Sequence, residues 1–575
     1  MFESYRFVWP FVKTQKKRYF IGILCSFIDN MLSALPIYLV GVVVDLLAQG
    51  NLTLKRIGFY MGVVTLASIL IYISGFIWTV ALYGSYNVAQ KFYQDHFISV
   101  FLNRRQVFYE KFNTGDLMSR ATLDVEYIAD LISWGVQLLF STGFNIILYL
   151  GLMIQKGGLA FSLITIIPYF ILMVLSHYRD KEVDKRWQER QEAFSRMNDR
   201  VLEGVEGVRH IRAFAQEEAF RQRFHRQTHE FSDLANRTSV ISNTYSLTTA
   251  IAATLVFLLT MSVGSYRVVN GQMTIGDLIS FQIFVTYLAN PLANFAMNIN
   301  VIKNADISSK GMKEVWNFDD RMEKGEMVIQ SFANVKVKDY SFAYPSSEQK
   351  NLDHIALELH KGQVLGVCGK TGPGKSCFLQ QFLREYPAGE GTFELNGVAL
   401  ADIKPGGLYP IMSYVTQDHY FFSGTIRENV LFSVGEASDE AIMKALEWAH
   451  FDIGDEVIRD GLDTLIGERG ISLSGGQRQR LSLARALLKD PDLLILDDSL
   501  SAVDQVTEQA IVRNLRQIRQ GKTTIISSHR LSALTHADQI VVFDRGKIAE
   551  KGTHQDLMAL GGWYHDQFLH QEERA

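Results

Sequence analysis

The sequence predicts a multidomain membrane protein, in which an all-α domain with six transmembrane helices precedes an α/β domain. Two observations lead to this fold class. Residues 1–310 contain several long apolar runs, whereas residues 331–575 have the mixed composition of a water-exposed domain. The second part also contains a glycine-rich loop after a short apolar strand, and later an apolar strand that ends in aspartates. Both features are typical of an α/β sheet with its ligand site at the strands' carboxyl ends. Residues 311–330 form the predicted linker.

Six segments of the first part are long enough to cross a bilayer, which requires about 20 mostly apolar residues in a helix. The long, charged links at 85–130 and 179–239 join some of these segments, and Lys and Arg gather there and before the first segment. Because positive charge favours the cytoplasmic side, we expect the N-terminus, both long links and the α/β domain to be cytoplasmic in a multi-pass cell-membrane protein. The six predicted spans are 19–47, 57–84, 131–154, 157–178, 240–267 and 275–302.

The second long link contains no proline and is rich in residues that favour helices. It predicts two cytoplasmic helices that continue out of the membrane, interrupted near 204–207 or 213–216.

Polar residues occur inside two predicted spans, where they should face a cavity or other helices rather than lipid. A substrate path and ordinary interhelical hydrogen bonding both remain open at this point. The residues are Asp29 and Asn30 in the first span, and Asn290, Asn294, Asn298 and Asn300 in the sixth.

The overall charge gives no indication of a nucleic-acid partner, since the formal net charge is −4. Three cysteines lack the spacing of a metal site or a disulfide framework.

The glycine-rich loop reads GKTGPGKS from Gly369 to Ser376 and fits the pattern G-x-x-x-x-G-K-[ST]. Its glycines let backbone N–H groups converge on phosphate oxygens, Lys375 reaches the terminal phosphates, and the Ser376 hydroxyl can bind Mg²⁺. The helix that begins here adds its positive end. The predicted nucleotide-binding residues are Gly369, Lys370, Thr371, Gly372, Pro373, Gly374, Lys375, Ser376 and Cys377.

The later strand reads LLILDDSLSAVD over residues 493–504. Four aliphatic residues in a row predict a buried parallel strand. Asp497 could hold a metal, and Asp498 stands next to it, where an acid could reach an attacking water.

At this point the sequence resembles the ATP-binding-cassette transporters, and specifically the exporter-type half-transporters, over essentially its whole length. The decisive segment is LSGGQ, which separates this family from other proteins with the same phosphate loop. The resemblance implies ATP and Mg²⁺ as cofactors and a second half-transporter subunit as partner. It also implies export of a small amphipathic substrate. The LSGGQ residues, Leu473, Ser474, Gly475, Gly476 and Gln477, would then complete the ATP site of the partner, together with the D-loop residue Asp504.

The resemblance assigns further roles by position. Tyr344 resembles the aromatic residue that stacks on adenine, and His529 resembles the switch histidine that contacts the γ-phosphate. Gln417 resembles the Q-loop glutamine, which joins Ser376 and Asp497 at the Mg²⁺ site. The segments 108–120 and 207–220 resemble the regions whose coupling helices rest on the nucleotide-binding domains.

Asp498 departs from the family pattern, which places glutamate at this position to polarise the attacking water. The shorter side chain withdraws the carboxylate by roughly one ångström, and such a misplacement can cost on the order of 100-fold in rate. The site should therefore bind ATP well and hydrolyse it slowly. We expect a heterodimer, in which LSGGQ of this chain completes a competent site on a partner, rather than a homodimer with two slow sites. A lipid flippase and a nucleotide-gated regulator or channel are the alternative functions.

Overall fold

The computed structural model describes residues 3–320, 322–347, 349–370, 372, 374–454, 458, 460–467 and 473–573. Within its helices, side chains are described except at 172–173, 175–184, 242, 244–249, 293 and 295–298. The chain forms two compact units. The first comprises Met1–Leu102 and Gly115–Asn317, and the second comprises Asn103–Thr114 and Phe318–Ala575.

The first unit is helical, as its apolar runs predict. Short π-helical turns at Arg120–Asp124 and Leu131–Gly135 join successive helices. Its helices, together with α4 of the second unit, are α1 Glu3–Thr14, α2 Lys16–Ala48, α3 Leu54–Leu102, α4 Gln106–Lys111, α5 Thr114–Ser119, α6 Val125–Asp130, α7 Val136–Gly157, α8 Leu159–Glu206, α9 Val208–Ala213, α10 Glu217–Val269 and α11 Ile275–Trp316.

Four helical segments in the described part of the chain are long and apolar enough to cross a bilayer. The predicted span 157–178 coincides with the start of α8 apart from its first two residues, and 275–302 lies within α11; some side chains of both helices are outside the described set. The count of six spans therefore stays a prediction. The four segments are Lys16–Ala48, Leu54–Leu102, Thr114–Gly157 and Ala250–Val269.

The second long link is interrupted at both predicted places. The helix α8 ends at Glu206, and a Cβ on the following Gly207 would lie 2.8 Å from the Glu203 carbonyl oxygen. The helix α9 ends at Ala213, and α10 begins at Glu217 after Ala215 adopts a positive φ of 50°. The link therefore forms two long helices around one short one.

Polar side chains of the first predicted span bond to neighbouring helices. The Asn30 amide donates to the Ser141 hydroxyl at 3.0 Å, and Asn145 donates to Asn30 at 3.2 Å. The Ser74 hydroxyl donates to Asp29 at 3.4 Å. These contacts favour interhelical hydrogen bonding for Asp29 and Asn30. The side chain of Asn298, in the sixth predicted span, lies outside the described set.

The second unit is an α/β domain built on two larger sheets and one small one. A four-stranded sheet has the order β2-β1-β4-β5, a six-stranded sheet has the order β12-β11-β3-β10-β9-β6, and β7 pairs with β8. The strands are β1 Asn334–Phe342, β2 Leu352–His360, β3 Val364–Gly369, β4 Glu390–Leu395, β5 Val398–Ala399, β6 Met412–Val415, β7 Gly424–Thr425, β8 Leu465–Ile466, β9 Leu493–Asp497, β10 Thr523–Ser527, β11 Gln539–Asp544 and β12 Lys547–Gly552.

The helices of this unit follow the strands. They are α12 Gly374–Gln380, α13 Ile426–Leu431, α14 Asp439–Trp448, α15 Gly475–Leu488, α16 Gln505–Ile518, α17 His554–Leu560 and α18 Trp563–Glu572.

The parallel part of the six-stranded sheet positions the site. The strand β10 pairs in parallel with β3 on one side and with β9 on the other, and β9 pairs in parallel with β6. Every residue of β9 and β10 is buried, as expected for strands that are covered on both faces. Ser527 is in register with Asp497 and with Val367, so the strands' carboxyl ends lie at one edge. The phosphate loop, the two aspartates, Gln417 and His529 all follow these ends.

Candidate nucleotide-binding site

The phosphate loop leaves β3 through a glycine that no other residue could replace without strain. Gly369 has a φ of +136°, and a Cβ there would lie 2.1 Å from the Phe543 carbonyl oxygen. Gly372 has no heavy atom within 4 Å of its Cβ position. The loop is therefore fixed at its base and open at Gly372. Thr371 and Pro373 lie outside the described residues.

Lys375 folds back over this loop. Its ammonium group donates to the carbonyl oxygens of Gly369 at 3.1 Å and Lys370 at 3.0 Å, and the residue is buried. Burial lowers the pKa of Lys375, while Asp498 and Asp497 oppose that shift. The lysine thus holds a charge that water barely solvates, and an anion bound in the loop would stabilise it.

Asp497 lies between two hydroxyl groups. The Ser376 hydroxyl donates to one carboxylate oxygen at 3.2 Å, and the Tyr414 hydroxyl donates to the other at 2.9 Å. Burial raises the pKa of Asp497, and the hydrogen bonds from Tyr414 and Ser376 oppose this. Ser376 and Asp497, which the sequence placed far apart in the chain, are therefore brought together.

Tyr414 is a site residue that the sequence analysis missed. It stands in β6, three residues before Gln417, and its backbone is in register with Ile495 of β9. A polar residue on a strand next to β9 was the available signal, but its register with β9 is evident only from the fold.

The oxygen groups at Asp497 suit Mg²⁺, which prefers hard oxygen ligands and keeps bonds to water and substrate phosphates. Within the described part of the chain, no group of three or more His, Cys, Asp or Glu residues could hold a metal alone. Ser376 and Asp497 would therefore provide part of the ligands, and water and phosphate oxygens would provide others. Gln417, two residues beyond β6, has an exposed side chain.

Asp498 directly follows β9 in a left-handed backbone conformation, with a φ of +48°. Its N–H donates to the Ser527 carbonyl at 3.1 Å, and its own carbonyl accepts from the Ser501 hydroxyl at 3.0 Å. Aspartate tolerates this conformation better than most residues. The residue is half-buried, and its negative charge raises the pKa values of both Asp497 and Lys375. Its carboxylate is thus part of the same charged cluster.

Tyr344 lies beside the helix that follows the phosphate loop. Its hydroxyl donates to the Gln380 side chain at 3.1 Å, and its ring meets those of Phe342 and Tyr386 edge-on at 5.3 and 4.9 Å. It is half-buried, and burial raises its pKa. These contacts fix the position of the ring.

Two other predicted residues differ in exposure. The Cys377 thiol is buried in the core, where burial raises its pKa to about 12, so a nucleotide contact from this residue would come from its backbone amide. The His529 side chain is exposed two residues beyond β10.

The LSGGQ segment forms the start of α15. The Ser474 hydroxyl accepts from the Gln477 N–H at 3.2 Å, and the Gln477 side chain accepts from the Ser474 N–H at 2.8 Å. This capping box buries Gln477 and leaves Ser474 exposed, while Leu473 is anchored in the core. The positive end of α15 is therefore accessible to an anion beside Gly475 and Gly476.

Asp504 caps another helix. Its exposed carboxylate accepts from the Thr507 N–H at 3.0 Å at the start of α16, and this bond lowers its pKa. Asp504 thus fixes the end of the D-loop, Ser501–Asp504, where α16 begins.

The segment 103–114 belongs to the second unit and packs against its α/β domain. Glu110 accepts from the Tyr386 hydroxyl at 2.6 Å and from the Ser346 hydroxyl at 3.4 Å. Arg105 donates to the Tyr409 hydroxyl at 3.2 Å, and Phe108 is fully buried. Through Tyr386, this segment is one side chain away from the tyrosine predicted to hold adenine.

Comparisons with known proteins identify the family of this chain. The family described as "ABC transporter transmembrane region" matches residues 19–292, and the family "ABC transporter" matches residues 352–501. The chain is 36% identical to the "Probable multidrug resistance ABC transporter ATP-binding/permease protein YheI" of Bacillus subtilis (strain 168), over 100% of this chain and 98% of that protein. It is 32% identical to the "Multidrug resistance-like ATP-binding protein MdlA" of Escherichia coli (strain K12), over 99% and 96%.

A solved structure shares the fold. The "Structure of a bacterial Atm1-family ABC exporter with ATP bound" superimposes with a TM-score of 0.80 and 22% identity, covering 97% of this chain and 98% of that one. The predicted fold class, a helical membrane domain followed by an α/β nucleotide-binding domain, is confirmed.

Proposed function

Because the chain belongs to the ATP-binding-cassette transporter family and carries the membrane region and the ATP-binding domain in one polypeptide, we propose that it is one subunit of a drug exporter. The transporter would move drugs or other amphipathic compounds out of the cell by alternating access. Two relatives whose names include "multidrug resistance" match nearly the whole chain, and they support this class of substrate. The observation that carries the proposal is the cluster of Lys375, Ser376 and Asp497 around an open phosphate loop.

The residues of this chain would act first by binding. Lys375 and the backbone of Gly369–Ser376 hold the phosphates, and the Tyr344 ring holds the base. Mg²⁺, when bound at Ser376, Asp497 and Gln417, would neutralise phosphate charge. His529 would contact the γ-phosphate and so distinguish ATP from ADP. ATP must bind the closed transporter more tightly than the open one, because otherwise it could not shift the equilibrium between them.

The own site of this chain is proposed to hydrolyse ATP slowly. All the binding groups are present, but Asp498 provides a carboxylate that is one methylene shorter than glutamate. LSGGQ and Asp504 remain suited to complete a partner's site, where Ser474 presents an exposed helix start. A heterodimer with a glutamate-bearing partner uses both features, whereas a homodimer would have two slow sites.

The second coupling segment also supports a partner subunit. The helix α9 has no buried residue, and Phe214 immediately after it is 73% exposed. Val205 and Val208 shortly before it are also exposed, and several exposed apolar side chains around a cytoplasmic turn are suited to docking on another protein surface. The nucleotide-binding domain of the second subunit is the proposed site.

Transport against a gradient is the direct test. The assembled transporter, reconstituted into sealed vesicles, should accumulate a fluorescent amphipathic cation when Mg-ATP is added outside. The Lys375→Ala variant is the matched control, since it removes a phosphate contact and leaves the membrane unit unchanged. The same replacement is made at the corresponding lysine of the partner subunit. ATP-dependent accumulation that persists when both lysines are replaced would contradict the proposal.

Two alternatives differ in what is moved. A lipid flippase would show ATPase stimulation by lipids but not by drugs, and would transfer labelled lipid between leaflets. A nucleotide-gated channel would dissipate a gradient when ATP binds, with no uphill accumulation.

A further inference from the structure

The loop that carries His529 is held by the C-terminal helix α18. We define the switch loop as residues 528–531. The carbonyl oxygen of His529 accepts from the Gln571 side-chain amide at 2.8 Å, and the N–H of Leu531 donates to the Gln571 side-chain oxygen at 2.9 Å. One carboxamide thus bonds the backbone on both sides of Arg530. An amide side chain presents a donor and an acceptor on two neighbouring atoms, which suits it to bonding two backbone groups at once.

The helix α18 is itself firmly attached. At its start, the Glu550 carboxylate accepts from the N–H groups of Trp563 at 2.5 Å and Tyr564 at 3.2 Å. Tyr564 is fully buried, and its hydroxyl bonds to the His554 ring at 2.9 Å. Gln571, in the last turn of this helix, therefore holds the switch loop from a fixed support.

The opposite side of the switch loop is tied to the D-loop. Arg530 donates to the carbonyl oxygens of Val503 at 2.6 Å and Ser501 at 3.1 Å, and it pairs with Glu508 at 2.7 Å. The side chain of Glu508 is almost completely buried. The side chain of Arg530 is therefore held by the D-loop and Glu508. Gln571, in contrast, holds the backbone from which His529 projects.

We propose that Gln571 is a positioning residue for His529, and that it holds the histidine where it recognises the γ-phosphate of ATP. The inference rests on the proposed function, in which His529 makes that contact. Since His529 is itself exposed, the backbone bonds of its loop determine where its ring lies. Loss of Gln571 would let the loop sample other conformations, and the histidine would be in place for only part of the time.

Removal of the Gln571 side chain should not damage the core. Gln571 lines an open cavity of about 380 Å³ together with Glu508, His536 and Phe568. A truncation there enlarges a solvent-filled space and creates no buried void. The effect on nucleotide recognition can therefore be separated from an effect on folding.

The test compares ATP and ADP affinities of the full-length protein with Mg²⁺ present, by titration calorimetry, alongside melting temperatures. Gln571→Ala should weaken ATP binding about threefold to tenfold, the range expected for weakening the single contact from His529 to the γ-phosphate, and leave ADP binding unchanged, with only a small decrease in melting temperature from the two lost bonds. Gln571→Glu keeps the acceptor for Leu531 but replaces the donor to His529 by a carboxylate oxygen, so it should weaken ATP binding as well. Gln567→Ala, one turn earlier in α18 and outside these bonds, is the matched control and should behave as wild type.

A double-mutant cycle with His529→Ala decides the matter. If Gln571 acts through His529, Gln571→Ala should cause no further loss in the His529→Ala background. An equal loss for ATP and ADP, or an undiminished loss in that background, would overturn the positioning role while leaving the proposed function in place. If His529→Ala alone leaves the preference for ATP over ADP unchanged, the premise from the proposed function fails, and the inference fails with it.

Discussion

Replacing Asp498 by glutamate should speed up ATP hydrolysis at the site of this chain. The added methylene advances the carboxylate by roughly one ångström, and a misplacement of that size is equivalent to on the order of 100-fold in rate. This corresponds to about 2.7 kcal/mol of barrier. The left-handed backbone at Asp498, with its φ of +48°, opposes the change, because glutamate adopts this conformation less readily than aspartate. We expect the variant to lose about 1 kcal/mol of stability and still gain turnover.

The assay is phosphate release by the assembled complex at saturating Mg-ATP, with ATP affinity measured in parallel. Asp498→Asn is the matched control, because it keeps the size of the side chain but removes the base, and it should give no increase. If Asp498→Glu binds ATP normally and turnover does not rise, then the length of this side chain does not limit the site, and the reasoning is refuted.

Three further predictions concern the groups around the loop. Tyr414→Phe removes one of the two hydroxyl groups that bond to Asp497. The free energy of ATP binding in the presence of Mg²⁺, measured by titration calorimetry, should become less favourable by about 1 kcal/mol. An unchanged affinity would contradict the positioning of Asp497 by Tyr414. Burial raises the pKa of Asp497, so this group stabilises the unbound fold below its unfolded-state pKa, and that contribution is lost as pH rises through the raised folded-state value. Since Mg²⁺ needs the ionised carboxylate, the gain in melting temperature on adding Mg-ATP should be larger at about pH 7.5 than at about pH 5, more so than in Asp497→Asn. Gly369→Ala should cost about 3 kcal/mol or more in thermal unfolding because its Cβ would meet Phe543, whereas Gly372→Ala faces open space and should fold normally.

The sequence predicted those parts of the site that depend on local chain geometry. Glycine spacing and the aliphatic run ending in Asp497 are properties of consecutive residues, and they correctly predicted the strand before the glycine-rich loop and the buried strand β9. The interruption of the second long link followed from Gly207 for the same reason.

The contacts that the sequence did not predict join residues far apart in the chain. Tyr414 reaches Asp497 because β6 and β9 are neighbours in the sheet. The order of the strands cannot be predicted from the residues of either strand. Gln571 bonds to the switch loop from a C-terminal helix that has no motif of its own. The packing of residues 103–114 against the rest of the second unit likewise depends on Phe108 and Glu110, whose partners Phe318, Ser346 and Tyr386 are more than 200 positions away.

The division of labour between the two ATP sites is tested most directly by measuring ATP turnover of this chain purified alone and again after assembly with a glutamate-bearing partner. We expect slow hydrolysis with tight ATP binding when the chain pairs only with itself, and fast hydrolysis in the mixed complex that is lost when Ser474 of this chain is replaced by arginine. Rapid turnover by the chain alone would contradict the account.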